Sequence, residues 1–449
     1  MIRRIWNGVF PMASVVLVLG LSTSAWAIPS FARQTGLPCS RCHTSFPELT
    51  AFGREFKLNG YMLSADDAKH VTGPSDTKQP GLWINQNLPL SVMFQLADTV
   101  LNKAVPGAQN RNLEFPQQFS LFLGGEIGSR AGTFMQFTYT GANNHFAMDN
   151  TDIRFVNQRY IRGAPLVYGL DLNNNPTVED LWNDTPAWGF PFAAPDSAPR
   201  PAAAALIDGG LAQDVGGVGG YAMWNHHLYG DVTLYRSMHL GGSQPPTGTG
   251  FGVNIVGAAP YWRAAYQTIW GHGRNYLEVG TFGIHVNSFP WTVAGTEDHF
   301  TDNALDAQYE RHLGNDVLTL HTTYIHERSH LDAALAAGGA SASPHVLNTF
   351  RFDGLYHIHR YTLGAGSFST TGTTDPLVYA AAPLTGSTSG NPKSAGYFLS
   401  AGAWLQQNIE LSLNYRGFTT FNGSKTNYDG AGRNASHNNA TYINLWLMF

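Results

Sequence analysis

The chain has 449 residues, of which 43% are hydrophobic, 12% aromatic and only 13% charged, and it contains 49 glycines. Its mean hydropathy is −0.17, so the apolar residues must be interspersed with polar ones. This composition excludes a disordered chain, which would hold few aromatics, and a helical membrane protein, which needs apolar runs of about 18 residues or more. The formal charge of −5 argues against nucleic acid as a partner. The composition is typical of a large β-barrel.

The first 27 residues have the features of a secretory signal peptide. Arg3 and Arg4 precede an apolar stretch from 12 to 21, and the segment ends at Ala27 in the sequence Ala-Trp-Ala. A basic start, a short apolar region and small residues before the cleavage point predict that residues 1–27 are removed. A membrane anchor is the alternative, but the apolar stretch is too short to span a bilayer. We therefore expect the remaining 422 residues to be exported.

The chain has two cysteines, Cys39 and Cys42, and His43 follows at once. The pattern C-x-x-C-H is the attachment motif of a c-type haem. Two thiols three residues apart can each add to one vinyl group of the porphyrin, and the adjacent imidazole then lies beneath the iron as its proximal ligand. The alternatives are a disulfide, which would close a very small loop and stabilise little, and a thiol-redox pair, which belongs in a βαβ unit. We predict one covalent haem c.

The residues after this motif predict an amphipathic helix. The segment 45–48, Ser-Phe-Pro-Glu, has the pattern of a capping box with proline in the first turn. Apolar residues then recur at intervals of three and four and form one stripe, consisting of Phe46, Leu49, Phe52 and Phe56. The pair Asn59-Gly60 predicts where the helix stops. Residues 28–80 are therefore expected to form a small α-helical haem domain with its linker, and the macrocycle would supply much of the core.

The distal ligand of the haem iron is less well defined. Met62 is the nearest downstream methionine and is the candidate, because a methionine–histidine pair raises the reduction potential. His70 and Met93 are the rivals, and an open coordination position is the remaining alternative.

Residues 81–449 predict an all-β, 16-stranded antiparallel outer-membrane barrel whose lumen is plugged by the haem domain. Divided among sixteen strands, these residues give about 23 per strand and connection, a suitable size for a membrane barrel. The predicted strands begin near Leu88, Phe115, Ala131, Asp149, Ala164, Gly217, Asp231, Pro260, Arg274, His299, Asn315, Val346, Arg360, Ser394, Asn408 and Ala440.

Several of these strands alternate between apolar and polar residues. Leu305 and Tyr309 would face one side of their strand, with Asp306 and Glu310 on the other. A soluble sandwich would also alternate, but in a barrel the apolar residues face lipid and the charged ones line a wet lumen. The lumen residues that could attract a divalent cation are Asp306, Glu310, Asp353, His357, His359 and Glu410.

The connections give a second indication of a barrel. Links after even-numbered predicted strands are short, whereas most links after odd-numbered strands are long. Outer-membrane barrels have short periplasmic turns and longer extracellular loops, so both ends of the barrel are expected at the periplasmic side. The last strand alternates and stops on Phe449, as does the assembly signal of bacterial outer-membrane barrels.

The longest connection, residues 172–214, contains several aromatic residues, including Trp182, Trp188, Phe190 and Phe192. A connection of this length is usually functional or disordered, and aromatic residues argue against disorder. We predict that it folds inward and either constricts the lumen or contacts the haem domain. The alternative is an extracellular loop that packs on its neighbours.

The N-terminal third resembles a known family. The sequence Phe-Ala-Arg-Gln-Thr-Gly at 31–36, the haem motif, Phe-Pro-Glu-Leu at 46–49 and Leu-Asn-Gly-Tyr at 58–61 are similar to the fused monohaem cytochrome–porins. This is the family of outer-membrane iron-oxidising cytochromes c. The Asn-rich and Thr-Pro-Ala-Trp-Gly stretch after the fifth strand is similar to that family as well, and the remainder resembles it by architecture.

The resemblance implies an iron oxidoreductase that takes one electron from extracellular Fe(II) through the haem and passes it to a periplasmic cytochrome c or another electron carrier. It carries over Cys39, Cys42 and His43 as the haem-binding residues and leaves the distal ligand open. Outer-membrane lipid would surround the barrel. Two other functions stay open at this point: a passive porin plugged by its haem domain, and an electron conduit for another extracellular donor or acceptor.

Overall fold

A computed structural model describes residues 30–63, 69–71, 82–85, 87–141, 144–189, 191, 194–195, 197–238, 254–290 and 294–449. The predicted signal segment and most of the predicted linker lie outside these residues. Within the described chain, no helix is both long enough and apolar enough to cross a membrane.

Sixteen long strands dominate the described chain. In chain order they are β1 (Leu90–Leu101), β2 (Asn112–Gly128), β3 (Ala131–Thr140), β4 (His145–Ile161), β5 (Ala164–Asn173), β6 (Val215–Trp224), β7 (Leu228–Ser237), β8 (Ala259–Trp270), β9 (Asn275–Phe289), β10 (Asp298–Leu313), β11 (Asp316–His330), β12 (His345–Ile358), β13 (Tyr361–Gly372), β14 (Ser394–Gln406), β15 (Ile409–Thr420) and β16 (Ala440–Met448). Each begins within four residues of its predicted start.

The sixteen strands form one closed antiparallel sheet. Each strand pairs with its neighbour in sequence, and β16 pairs with β1, where Met448 lies opposite Met93. Closure leaves no unpaired edge, which is the condition for a sheet to cross a membrane. A two-residue strand, Asn254–Ile255, adds to β9, and a short pair of strands, Lys69–Val71 and Leu82–Ile84, forms a separate sheet. The predicted 16-stranded antiparallel barrel is confirmed.

The connections differ at the two ends of the barrel. Every link after an even-numbered strand has two to four residues, and we call this end the short-turn end. The links after odd-numbered strands include 174–214, 238–258, 373–393 and 421–439, and we call that end the long-loop end. Because β1 begins and β16 finishes at the short-turn end, the N-terminal segment joins the barrel there. The predicted alternation of connections is therefore confirmed.

The two faces of the sheet carry different side chains. On β10, Leu305 is 60% exposed on the outside, whereas its neighbour Asp306 is 4% exposed inside. Large apolar residues such as Val218 and Leu399 are likewise exposed on the outer face, and most buried residues of the strands' inner faces are polar. An apolar exterior around a polar interior is the arrangement that a lipid environment requires.

The barrel contains little helix. The helices of the described residues are α1 (Ser30–Thr35), α2 (Cys39–Cys42), α3 (Ala51–Leu58) and α4 (Asp332–Ala336), with an irregular kinked turn at Leu206–Gly210 and a 3₁₀ turn at Ala435–Asn438. The predicted helix start is wrong: α3 begins at Ala51, and its N-cap is Thr50, whose side chain accepts a hydrogen bond from the Gly53 amide at 3.1 Å. The predicted stop at Asn59 is confirmed.

Two segments fill the lumen from opposite ends. The N-terminal segment 30–63, which we call the plug, contacts wall residues within four positions of the short turns, among them His357 and Glu410. The connection 174–214 folds inward from the long-loop end, where the Ile207 amide donates to Asp302 on β10 at 2.7 Å. The predicted inward fold of this connection, which we call the inner loop, is confirmed.

Candidate functional site

The plug begins with α1, which lies directly on β2. The Gln34 side-chain amide donates to the Gly124 carbonyl at 2.7 Å, and the Phe31 ring covers Gly124. A Cβ atom at position 124 would lie 2.7 Å from that ring, so this close approach requires glycine. The ring of Phe31 also stacks on Tyr61 at 5.6 Å, which ties the start of the plug to its end.

The cysteine motif forms the single turn α2 near the short-turn end. The amide of Ser40 donates to the side chain of Gln407, which lies in a two-residue turn of the barrel, at 3.2 Å. Helix α3 packs closely against α2: a Cβ atom at Gly53 would lie only 2.3 Å from the Cys42 carbonyl oxygen. The thiols of Cys39 and Cys42 are half-buried and not joined in a disulfide.

The imidazole of His43 is oriented by the backbone. Its Nδ1 lies 3.2 Å from the carbonyl oxygen of Glu48, so Nδ1 carries the proton and donates to that oxygen. The lone pair of Nε2 is then available to a metal, which is the usual arrangement of a ligating histidine. Burial lowers the pKa of His43 to about 4, despite the opposing effect of the Glu48 carbonyl, and so favours the neutral, ligating form.

Residues 45–48 attach the plug to the barrel wall. The Glu48 carboxylate accepts hydrogen bonds from Thr44 at 2.6 Å and from His357 on β12 at 2.8 Å. Burial raises the pKa of Glu48, but the nearby His357 outweighs this and lowers it to about 2. The hydroxyl of Ser45 donates to Glu410 on β15 at 3.2 Å.

Phe46 is the main apolar anchor of the plug. Its ring lies 4.9 Å from that of Trp404 and 5.7 Å from that of Trp446, which face the lumen from β14 and β16. On its other side it meets the His43 ring at 5.1 Å. The same residue therefore packs on both the wall and the imidazole.

A cavity of about 410 Å³ opens above the motif, inside the barrel. Both cysteines and His43 line it, so the structure brings together the three residues that the sequence predicts as haem ligands. Its walls are rich in aromatic residues, namely Phe31, Phe46, Phe56, Phe122, Phe134, Trp188 and Trp446. Cofactor pockets of about 300–1,000 Å³ are usual, mainly apolar with a few oriented polar groups, and this cavity has that character.

The methionines are placed unequally around this cavity. Met93 and Met448, which lie opposite each other on β1 and β16, both line it. Met62 is buried beside Phe56 and Tyr61, outside the lining of this cavity. The predicted role of Met62 stays a prediction, and Met93 is the one among the candidates that shares the cavity with His43. The side chain of His70 lies outside the described residues.

Helix α3 of the plug contacts the inner loop. The ammonium of Lys57 donates to the Val178 carbonyl at 2.7 Å and to the Asn183 side chain at 2.9 Å, and it also bonds the Asp180 carbonyl. Burial lowers the pKa of Lys57 to about 7. One turn earlier, Arg54 forms a buried ion pair with Glu310 of β10.

The lumen carboxylates that the sequence singled out are mostly committed to partners. Asp306 receives two hydrogen bonds from Arg263, and Asp353 pairs with His321. Glu310, His357 and Glu410 bind the plug, as described above. His359 instead lies in a short turn with 74% of its side chain exposed, so its predicted place on the lumen wall is wrong. That prediction assumed that His359 lies in a strand, where side chains alternate between the two faces, and this alternation does not apply to a turn.

Sequence reasoning identified Phe46, Phe56 and Trp188 but missed the cavity residues Phe122, Phe134, Trp446 and Met448. A signal for them existed, because the alternation that sends Leu445 and Leu447 outward sends Trp446 and Met448 inward. No sequence signal pairs Glu48 with His357, which lie 309 residues apart.

No family model and no curated protein matches the chain. Among solved structures, it is similar to the anion-selective porin from Comamonas acidovorans, with 12% identity, a TM-score of 0.48, and coverage of 80% of this chain and 98% of that one. The outer-membrane channel DcaP of Acinetobacter baumannii has 11% identity and a TM-score of 0.46, with coverage of 80% of this chain and 96% of that one. Salmonella typhi OmpF in complex with daunomycin has 10% identity and a TM-score of 0.45, with coverage of 81% of this chain and 98% of that one. By its own closed sheet, apolar exterior and alternating connections, the chain is a porin-like barrel of the outer-membrane type.

Proposed function

We propose that this chain is an outer-membrane cytochrome–porin that oxidises extracellular Fe(II) at a covalent haem c and passes the electron to a periplasmic carrier. The observation that carries the proposal is the cavity inside the lumen, where Cys39, Cys42 and His43 converge beneath aromatic walls. The resemblance of the plug sequence to the fused monohaem cytochrome–porins supplies the substrate. Haem would be held by the two thiols through thioether bonds and by the His43 imidazole.

The residues of the site fit a haem in three respects. The thiols are free and half-buried at the cavity surface. The Nδ1 proton of His43 is used by the Glu48 carbonyl, which fixes the ring and leaves Nε2 for the iron. The cavity walls are mainly apolar and rich in aromatic side chains. When bound, a haem supplies a one-electron carrier whose potential depends on its axial ligands and surroundings.

The position of the plug suits transfer across the membrane. The apolar band of an outer-membrane barrel is about 25 Å tall, so a redox centre confined to one surface would not reach donors on the other side. Here α2 meets the short turns, and the cavity extends upward to Asp149 and Asn150 on β4, near the long-loop end. With the short turns in the periplasm, the plug would present the motif to a periplasmic carrier and the cavity to the outside.

The plug also explains why an oxidised product would stay outside. Fe(III) is poorly soluble near neutral pH, so a cell benefits from importing the electron and leaving the ion. A 16-stranded barrel would otherwise leave an aqueous channel, and here the plug and the inner loop meet at Lys57 inside it. Under this proposal, that contact would separate the path of the electron from that of solutes.

The decisive experiment is anaerobic mixing of the haem-loaded protein with Fe(II) while the haem absorption bands are recorded. The proposal predicts reduction of the haem, and in liposomes that enclose an electron acceptor, external Fe(II) should reduce the interior. The control is the double variant Cys39→Ala/Cys42→Ala, which should carry no covalent haem and transfer no electrons. An unchanged haem spectrum together with free passage of small solutes would favour the plugged passive porin instead.

A conduit with another donor or with outward flow is separated from this proposal by the haem potential. A low potential would disfavour electron uptake from iron, especially in acid. Equilibrium redox titration of the purified protein measures it directly.

A further inference from the structure

Four buried carboxylates surround one guanidinium in the middle of the barrel, outside the cavity of the haem motif. The Arg263 side chain projects from β8 into the lumen, and the side chains of Arg263 and of its four partners are all fully buried. Its Nη2 atom lies 2.7 Å from Asp306, 3.1 Å from Asp180, 3.3 Å from Glu278 and 3.7 Å from Asp184. One guanidinium Nη carries two N–H groups, so it cannot satisfy four carboxylates.

Two carboxylates of this cluster keep oxygens that accept no hydrogen bond. Neither oxygen of Asp184 accepts a hydrogen bond, and Oε2 of Glu278 also accepts none among the described residues. Both side chains are fully buried, and a buried carboxylate oxygen that accepts no hydrogen bond is unfavourable. Burial, followed by repulsion from Asp306 and Asp180, raises the pKa of the Asp184 carboxyl well above its usual range. The arrangement therefore lacks positive charge at this point.

The charge balance gives the size of the deficit. With all four carboxylates ionised, the cluster and Arg263 sum to −3, and Lys57, which bonds the Asp180 carbonyl, adds one positive charge beside it. Including Lys57 leaves two negative charges without compensation. A single divalent cation would supply that amount.

The geometry fits such an ion. One oxygen each of Asp184, Glu278 and Asp306 lies within 4.8 Å of the other two. An ion centred among three such atoms would lie at most about 2.8 Å from each, near the Ca²⁺–oxygen range of about 2.3–2.6 Å. An all-carboxylate donor set suits Ca²⁺, Mg²⁺ or Mn²⁺.

We propose that Asp184, Glu278 and Asp306 bind a resident divalent cation of the calcium type, which fastens the inner loop to the barrel wall. Asp184 belongs to the inner loop, whereas the other two ligands belong to β9 and β10. The site holds its ion permanently, because its ligands have no solvent exposure and a fixed guanidinium beside them would oppose passage of a cargo cation. This inference does not depend on the haem.

The test uses the full-length protein in detergent. Elemental analysis of the purified protein gives the number of bound ions. After EDTA treatment, the protein is titrated with Mn²⁺, and electron paramagnetic resonance measures the Mn²⁺ that stays free. We expect one Mn²⁺ ion per chain, which Ca²⁺ displaces. In Asp184→Asn and Glu278→Gln, the Kd for Mn²⁺ should rise at least tenfold, to above about 1 mM. The matched control is Asp208→Asn, since Asp208 also belongs to the inner loop but pairs with the partly exposed Arg351.

Each result bears on the proposal. Absence of bound metal in the purified wild-type protein and of Mn²⁺ binding after EDTA treatment would overturn it, as would unchanged binding in both variants. Greater thermal stability of Asp184→Asn in the absence of metal would show that a proton rather than a cation balances the cluster. The number of ions bound by the wild-type protein decides whether the site exists, so the test remains valid even if a variant fails to fold. Loss of haem-dependent electron transfer would leave these results unchanged.

Discussion

The contact between Glu48 and His357 is expected to hold the plug in the lumen, and Glu48→Gln tests it. In the docked plug the pKa of Glu48 is about 2, against an ordinary value of 4.5. This difference corresponds to about 3 kcal/mol of stabilisation at neutral pH. Removing the charge should therefore increase local opening of the plug by up to about a hundredfold, since 1.4 kcal/mol is about tenfold in an equilibrium constant.

The pH dependence has a defined sign. Because the pKa of Glu48 is lower in the docked state, the carboxylate stabilises docking above pH 4.5, and this stabilisation is lost as the pH falls from 4.5 towards 2. The glutamine variant lacks the titrating group and should not show this loss. Wild-type and variant proteins should therefore converge near pH 2.

Hydrogen exchange followed by mass spectrometry on residues 44–58 measures this opening, after correction for the intrinsic exchange rate at each pH. Local exchange reports the free energy of opening without requiring the barrel to unfold. Glu55→Gln is the matched control, since Glu55 is exposed on α3 and its carboxylate contacts only the nearby Asn59 side chain. Equal protection of wild type and Glu48→Gln at pH 7, or a difference that persists at pH 2, would refute the reasoning.

Three further predictions concern the same site. Because Met93 lines the cavity and Met62 does not, Met93→Ala should change the oxidised haem spectrum and lower the reduction potential, whereas Met62→Ala should not. The opposite result would support the sequence-based prediction of Met62 as the distal ligand. Gly53→Ala places a Cβ 2.3 Å from the Cys42 carbonyl, so the yield of covalent haem, read from the pyridine haemochrome, should fall sharply, and a normal yield would show that the turn can shift. Phe46→Ala removes the ring that packs on the wall tryptophans and should weaken plug docking by about 3–5 kcal/mol; unchanged exchange of the plug amides would contradict this.

The sequence alone determined the barrel. Side chains alternate with a period of two along a strand, and turns of two to four residues follow the even-numbered strands from β2 to β14. Both signals are local and recur along the barrel. The sorting of Leu305 outward and Asp306 inward followed from the same period. The haem motif was equally local, because its chemistry depends on three residues within five positions.

Local patterns were insufficient where several stop or start signals compete. Residues 45–48 match a capping box, yet Ser45 and Glu48 bond to Glu410 and His357 instead. These contacts with distant strands outweigh the weak intrinsic preference for an earlier helix start. The helix then begins at Ala51, directly after Thr50, whose hydroxyl provides the N-cap.

Only the tertiary structure decided which residues share a cavity and which charges meet. Met93 and Met448 come together because closure of the sheet pairs its first and last strands, and sequence separation gives no indication of that distance. Likewise, Asp184 meets Glu278 and Asp306 only because the inner loop turns into the lumen. Strand period and turn length are properties of neighbouring residues, whereas cavities and buried charge clusters depend on how the whole sheet closes and on what then fills it.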